Sequence, residues 1–457
     1  MTTSTLSDPA YRRDLGGGLV LRWSTAHDAD QIAALYSDVF RNSPNDPPNM
    51  RTAAYGRDLI SGRHPLIDSG DFALVEDTDQ GRAVAATCLI GQTWSYEGID
   101  FPVGRPEIVA SDADYRNRGL VRAVFELIHA RSAANGHVAQ GITGIPYYYR
   151  QFGYEYALDL GGSRSIAFDA IPKLKDGEQE PYMLREATPE DLPEMQALYE
   201  RERSRAAITA QIDHAYWQFM FDGHSLESGE GFQPYVIGVR SELGWEGNPL
   251  GYVLTRRILW GDTFGVACMA VREGEPLMAI LPGIMRQLQA IAPQVQRSKA
   301  DQPPPTKLAF GFGRSHPVYD VLHDKLFPGE AQPYAWYVRV PDLPGFVRRI
   351  APVLEHRLAA SAAAGYTGDL KLTFYRGGLH MVFENGRLNE AVSWQAPVQD
   401  SGAMAGFPPL VFLQLLFGHR NLHDLRHAFP DVWANETGRA LLEALFPPRL
   451  AWVLPLD

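Results

Sequence analysis

Tyr115-Arg116-Asn117-Arg118-Gly119-Leu120-Val121 opens the stretch that decides the fold, and Tyr149-Arg150-Gln151-Phe152-Gly153-Tyr154 closes it. The first segment is an Arg-x-x-Gly turn. Behind it, Leu120, Val121, Val124, Leu127 and Ile128 recur at helical spacing, and Asn135-Gly136 supplies a stop. Ahead of it, Glu107-Ile108-Val109-Ala110 reads as a strand. Strand, glycine-containing loop and helix together suit an anion. Backbone N–H groups and the positive helix end would face a pyrophosphate. The same residues also read as a solvated helix start with exposed arginines. In the closing segment Tyr149 stands four residues before Gly153. A phenol with an ordinary pKa near ~10 keeps its proton at neutral pH and can donate it to a leaving group. The plainer reading of Tyr147-Tyr148-Tyr149 is an aromatic packing cluster.

Upstream, Asp71-Phe72-Ala73-Leu74-Val75-Glu76 and Arg82-Ala83-Val84-Ala85-Ala86-Thr87-Cys88-Leu89-Ile90 read as buried strands. Before them, Leu21-Arg22-Trp23-Ser24-Thr25-Ala26-His27-Asp28 leads into a helical pattern ending Ala34-Leu35-Tyr36. That block returns at a constant offset as Leu184-Arg185-Glu186-Ala187-Thr188-Pro189-Glu190-Asp191, followed by Ala197-Leu198-Tyr199. Each copy reads as a strand, a capped helix start and an amphipathic helix, so we expect a duplicated unit. The second copy continues with strands near residues 235–239, 250–255 and 266–271 and a helix over 279–290. Where the first copy has its arginine loop, the second has Arg272-Glu273-Gly274-Glu275-Pro276-Leu277. Two acids and no Arg-x-x-Gly predict that this turn holds no pyrophosphate.

Past residue 345 the character changes. Residues 346–364 are Ala-rich and helical. Leu370-Lys371-Leu372-Thr373-Phe374-Tyr375 and Leu379-His380-Met381-Val382-Phe383-Glu384 flank Arg376-Gly377-Gly378 as a hairpin, with Ala391-Val392-Ser393-Trp394 as a further strand. Helical stretches follow at 409–416, 422–428 and 436–445, then an apolar tail from Leu450 to Asp457.

The two motifs resemble those of the GNAT superfamily of acetyl-coenzyme A-dependent N-acetyltransferases. The tripartite plan is similar to the Eis-like acetyltransferases. That resemblance implies an α/β (α+β) fold with two tandem GNAT-like mixed-sheet domains and a sterol-carrier-like α+β domain. The divisions are a flexible leader at 1–18, ending in Gly16-Gly17-Gly18, and an acetyl-CoA-binding domain at 19–170. A degenerate second GNAT-like domain spans 181–340, and the sterol-carrier-protein-like domain spans 345–457. The resemblance also implies that Val109, Ala110 and Ser111 pair with the pantetheine arm, and that Arg116, Asn117, Arg118, Gly119, Leu120 and Val121 hold the pyrophosphate. Val121 stands where the family pattern usually has Gly or Ala. Tyr149 would be the general acid, the α-carboxylate of Asp457 the proton acceptor, and Glu107 a further candidate base. Residues 41–51 and Trp94-Ser95-Tyr96 are candidates for the acceptor pocket. The implied activity is acetyl transfer to a primary amine, small or peptidyl, including aminoglycosides. The implied assembly is a homo-oligomer, a hexamer. The alternative is a non-catalytic binding protein with a vestigial coenzyme A site and a lipid-binding or assembly role.

The bulk properties bound these readings. A chain of 457 residues predicts several domains, and 45% hydrophobic with 21% charged content is that of a globular protein. A net charge of −12 argues against a general nucleic-acid binder. Cys88 and Cys268 each sit in an apolar run and read as buried thiols, with no metal-ligand spacing. No run reaches the ~20 apolar residues of a membrane span, so the expected location is cytoplasmic.

Overall fold

The computed structural model describes residues 3–242, 244–299, 301–322, 329–395 and 402–454. The fold is mixed α/β, built on three main sheets. In the first, Arg12–Gly16, Leu19–Trp23, Phe72–Asp77, Arg82–Tyr96 and Ile99–Ser111 run antiparallel in that order. Ala139–Ile142 then joins in parallel. The second sheet places Tyr182–Glu186, Phe232–Ser241, Gly244–Arg256 and Thr263–Val271 antiparallel, with Lys307–Phe310 parallel to the last. The third carries the expected hairpin, Gly368–Thr373 with Gly378–Glu384, extended by Arg387–Ser393.

The duplicated block folds the same way twice. In the first copy Arg22 grips Asp28 with two hydrogen bonds, at 2.6 and 2.9 Å. Asp28 in turn accepts from the Thr25 N–H at 2.7 Å. Arg185, Asp191 and Thr188 repeat the arrangement. A reciprocal Thr–Asp cap satisfies helix-start donors, which explains why these residue types recur at this spacing.

Strands do not sort by sequence range. Tyr334–Arg339 leaves the second half of the chain and inserts into the first sheet, between Ala139–Ile142 and Glu155–Leu160. Ser163–Ala167 does the reverse, pairing with Lys307–Phe310 and Gly329–Ala331. Ile208–Ala210 also joins the first sheet, antiparallel to the end of Arg82–Tyr96, and brings Ala451–Trp452 with it.

The segment before residue 18 is not a loose leader. Arg12–Gly16 forms a hairpin with Leu19–Trp23, and Gly16, Gly17 and Gly18 all take positive φ in its turn. Leu6 and Tyr11 are buried, and the Trp23 indole N–H donates to the Leu6 carbonyl at 2.9 Å. The three glycines serve a turn that only glycine makes cheaply. Among the described residues no helix is long and apolar enough to cross a membrane.

Candidate active site

The site begins where two parallel strands part. Ile99–Ser111 and Ala139–Ile142 pair only at Val103 with Ala139 and Gly104 with Gln140. Past that point the first strand keeps its partner on one edge, Ala110 opposite Ala86 and Ser111 opposite Ala85. Its other edge faces a cleft. A bulge sharpens the divergence: Cys88 faces Glu107 and Ala86 faces Ala110, so Thr87 spans both Ile108 and Val109. Ile108 takes φ 49, and the Thr87 hydroxyl donates to the Glu107 carbonyl at 2.9 Å.

The arginine loop closes one end of the cleft. Tyr115 is buried and anchors it, its hydroxyl 2.5 Å from Asp77 Oδ2. Asn117 and Gly119 both take positive φ, and the helix Leu120–Ala134 starts immediately after. Successive left-handed turns aim neighbouring N–H groups to one side, and a helix start adds donors without intrahelical partners. Arg116 is exposed. The Arg118 guanidinium lies over the Tyr115 ring, 4.8 Å from its centroid. Arg122 reaches Gln151 at 3.3 Å.

Tyr149 enters from the opposite wall on the short helical turn Tyr149–Phe152, which Gly153 ends with φ 87. Its ring meets Tyr337 edge to face at 5.4 Å and Tyr148 at 5.2 Å. Burial pushes its phenol well up, and the nearby Glu107 and Tyr148 add to the shift. The hydroxyl therefore keeps its proton at neutral pH.

These parts converge on one cavity of about 570 Å³. Val109, Ala110, Ser111, Arg116, Asn117, Gly119, Leu120, Val121 and Tyr149 all line it. Arg118 does not, because it turns back over Tyr115. Val39, Ile145, Tyr148 and Gln151 also line it and carried no signal in the sequence. Glu107 contacts the buried Arg105 and stands behind the cleft rather than on its lining. Asp457 lies outside the described residues. The last described strand, Ala451–Trp452, pairs in parallel with Ile208–Ala210, and Val453 and Leu454 are buried.

Trp94 and Tyr96 do not line this cavity. Trp94 is fully buried, edge to face with Trp336 at 5.6 Å. The Tyr96 hydroxyl donates to the Leu416 carbonyl at 2.6 Å. The strand simply continues beneath the C-terminal region. Of residues 41–51, Arg51 turns to the second copy, reaching the Ser298 carbonyl at 3.3 Å.

The second copy repeats the splay, its strands parting after Val266 and Phe310. The cavity there, about 420 Å³, is lined by Glu273, Gly274 and Glu275. Arg201 donates to the Val271 carbonyl, and Arg272 is held by Glu194 at 3.0 Å. The chain's own arginines thus occupy groups that stay open in the first copy.

Residues 21–157 match the family described as Acetyltransferase (GNAT) domain. This segment is a GNAT acetyltransferase domain. The chain carrying it is an acyltransferase, and the domain implies an acyl-coenzyme A cosubstrate. Similar solved structures span almost the whole length. A GCN5-related N-acetyltransferase from Kribbella flavida is 17% identical, covering 99% of this chain and 100% of its own, with TM-score 0.64. A probable N-acyltransferase from Enterococcus faecalis V583 is 13% identical, with 96% and 99% covered and TM-score 0.64. Eis1 from Mycobacterium abscessus is 14% identical, with 96% and 99% covered and TM-score 0.58. At these identities the likeness is one of fold. No curated protein matches the sequence. Among the described residues no cluster of His, Cys, Asp and Glu could hold a metal ion.

Proposed function

We propose that this chain is an N-acetyltransferase that moves acetyl from acetyl-coenzyme A to a primary amine, on an aminoglycoside, another polyamine or a lysine side chain. The observation that carries this reading is the single cavity joining Tyr149 to the arginine loop and the open strand edge. Its chemistry fits the cosubstrate. Val109, Ala110 and Ser111 offer a strand edge for an amide-bearing arm. Asn117, Gly119 and the helix start at Leu120 offer N–H groups to phosphate, with Arg116 beside them.

Acetyl-coenzyme A supplies the activated acyl group as a thioester. Tyr149 holds its proton through neutral pH and delivers it from its hydroxyl to the departing sulfur. Burial of the ring excludes water and fixes the hydroxyl's position. The α-carboxylate of Asp457 is the proton acceptor in this reading. Residues added after Asp457 should then abolish turnover while the melting temperature holds, and full activity in such a chain would remove that role.

In the same reading residues 19–170 are the working domain, 181–340 a degenerate copy and 345–457 a sterol-carrier-like domain, the whole assembling as a cytoplasmic homo-oligomer of the Eis-like type. Calorimetry of acetyl-coenzyme A with the untagged chain tests the core of it. One site per chain is expected. No binding at about 10 mM, an affinity weaker than ~3 kcal/mol, would leave a binding protein with a vestigial site.

A further inference from the structure

The strand edge that lines the cofactor cleft depends on one strained residue. Ile108 takes φ 49 and is 8% exposed. A β-branched residue in the left-handed region is an outlier that persists only where its surroundings impose it. The peptide ahead of it does so here. The Glu107 carbonyl accepts from two side chains of the neighbouring strand, the Thr87 hydroxyl at 2.9 Å and the Cys88 thiol at 3.7 Å. Both donors are fully buried. A thiol donates weakly, so the hydroxyl carries the grip. The peptide is planar, and holding its carbonyl sets the plane from which Ile108 turns. In the run from Ala83 to Ile90, Thr87 is the only hydroxyl.

The consequence lies in the residues that follow. The bulge sets Ile108 and Val109 against Thr87 alone, after which Ala110 and Ser111 pair with Ala86 and Ala85. Side chains and peptide groups alternate along a strand, so a bulge that relaxed would slip these residues by one. Groups that now bond the partner strand would then face the cleft, and side chains would change faces. The edge offered to an amide-bearing arm would be lost.

We infer that Thr87 is a positioning residue for acyl transfer: its hydroxyl, through the Glu107 carbonyl, holds Ile108 in the left-handed conformation and keeps Val109, Ala110 and Ser111 in the register that receives the cosubstrate. The inference rests on the proposed acetyl-coenzyme A site. It adds to that site a residue that does not line the cavity.

The test is calorimetry of acetyl-coenzyme A with the full chain as parent, Thr87→Val, Ile108→Gly and the double variant. Valine keeps the shape and deletes the hydroxyl. The fraction of chains in the binding register falls, and the apparent affinity should fall with it by about tenfold. Thr87→Ser keeps the hydroxyl and should bind within about twofold of the parent. Glycine adopts positive φ readily, so in the Ile108→Gly background Thr87→Val should weaken binding by about threefold at most. Equal losses in the two backgrounds would overturn the inference. So would a Thr87→Val chain that binds as the parent does, or a Thr87→Ser chain as weak as Thr87→Val. A parent that fails to bind at about 10 mM would remove the cofactor site and this inference together, a result distinct from the other three.

Discussion

Tyr149 and Tyr337 pack edge to face with ring centroids 5.4 Å apart, although one lies in the first copy of the duplicated unit and the other on a strand at the end of the second. The Tyr337 hydroxyl also donates to the Ile145 carbonyl at 3.1 Å, on the loop that leads to Tyr149. The proposed acid is therefore aimed by a strand exchanged between sheets. Tyr337→Leu keeps most of the volume but removes the ring edge and the hydroxyl. We expect turnover to fall about tenfold or more, because small misplacements of a reacting group cost up to ~10²-fold. Acetyl-coenzyme A affinity should hold within about twofold. An unchanged kcat would mean that Tyr337 serves packing alone.

Tyr149→Phe removes the proton and little else. A positioned acid typically contributes ~10²–10⁴ in rate, so kcat should drop at least tenfold while cofactor binding persists. The pH profile gives a second check. Burial, with Glu107 and Tyr148 behind it, raises this phenol above its ordinary value, so the acid form persists as pH rises. No alkaline loss of activity below pH about 10 should trace to this group. A limb with its midpoint near pH ~9 that vanishes in Tyr149→Phe would contradict the assignment.

Asp28 predicts how the fold responds to acid. Burial alone would raise its carboxyl, but the Arg22 guanidinium and the Thr25 N–H outweigh that and hold it at about 2, against an ordinary 3.8. A depressed folded value means stabilisation present in full above pH about 4 and lost as pH falls through about 2. The shift is worth about 2 kcal/mol at neutral pH. Asp28→Asn should lower stability at pH 7 by about that amount, with Arg22 keeping its second partner, Glu76, at 2.7 Å. Urea melts from pH 7 to 2 should show the gap between parent and variant closing only below pH about 4. A gap that stays constant over that range would assign the loss to shape instead of charge.

What the sequence disclosed follows the range of the forces involved. The cap formed by Arg22, Thr25 and Asp28 is local, so its repetition at Arg185, Thr188 and Asp191 was readable as duplication. The helix Leu120–Ala134 and the hairpin at Gly368–Thr373 were equally local. Strand exchange was not readable, because nothing within Tyr334–Arg339 records that its neighbours lie in the other copy. The same blindness put Trp94 in an acceptor pocket. Its alternating strand pattern says that one face is buried, not whether a cleft or Trp336 covers it. Gly16-Gly17-Gly18 misled in the other direction, since three flexible residues in a row read as a loose end when the partner strand precedes them.

Gly119 offers the sharpest test of the loop. Its φ is 75, and a Cβ placed there would meet nothing within 4 Å. Any penalty for a side chain is therefore backbone strain, about 1–2 kcal/mol for an ordinary residue in this conformation. Asn117, two positions earlier, already takes φ 61, as asparagine tolerates. Gly119→Ala should relieve its strain by rotating the peptide that aims N–H groups into the cavity. Acetyl-coenzyme A affinity should then fall about fivefold or more, with a melting temperature only a few degrees lower, given ~4 °C per kcal/mol at most for a chain of this size. Gly119→Asn should be milder on both counts, because asparagine enters the left-handed region at less cost. Were both variants to bind the cofactor as the parent does, the loop from Arg116 to Val121 would not be where the pyrophosphate sits.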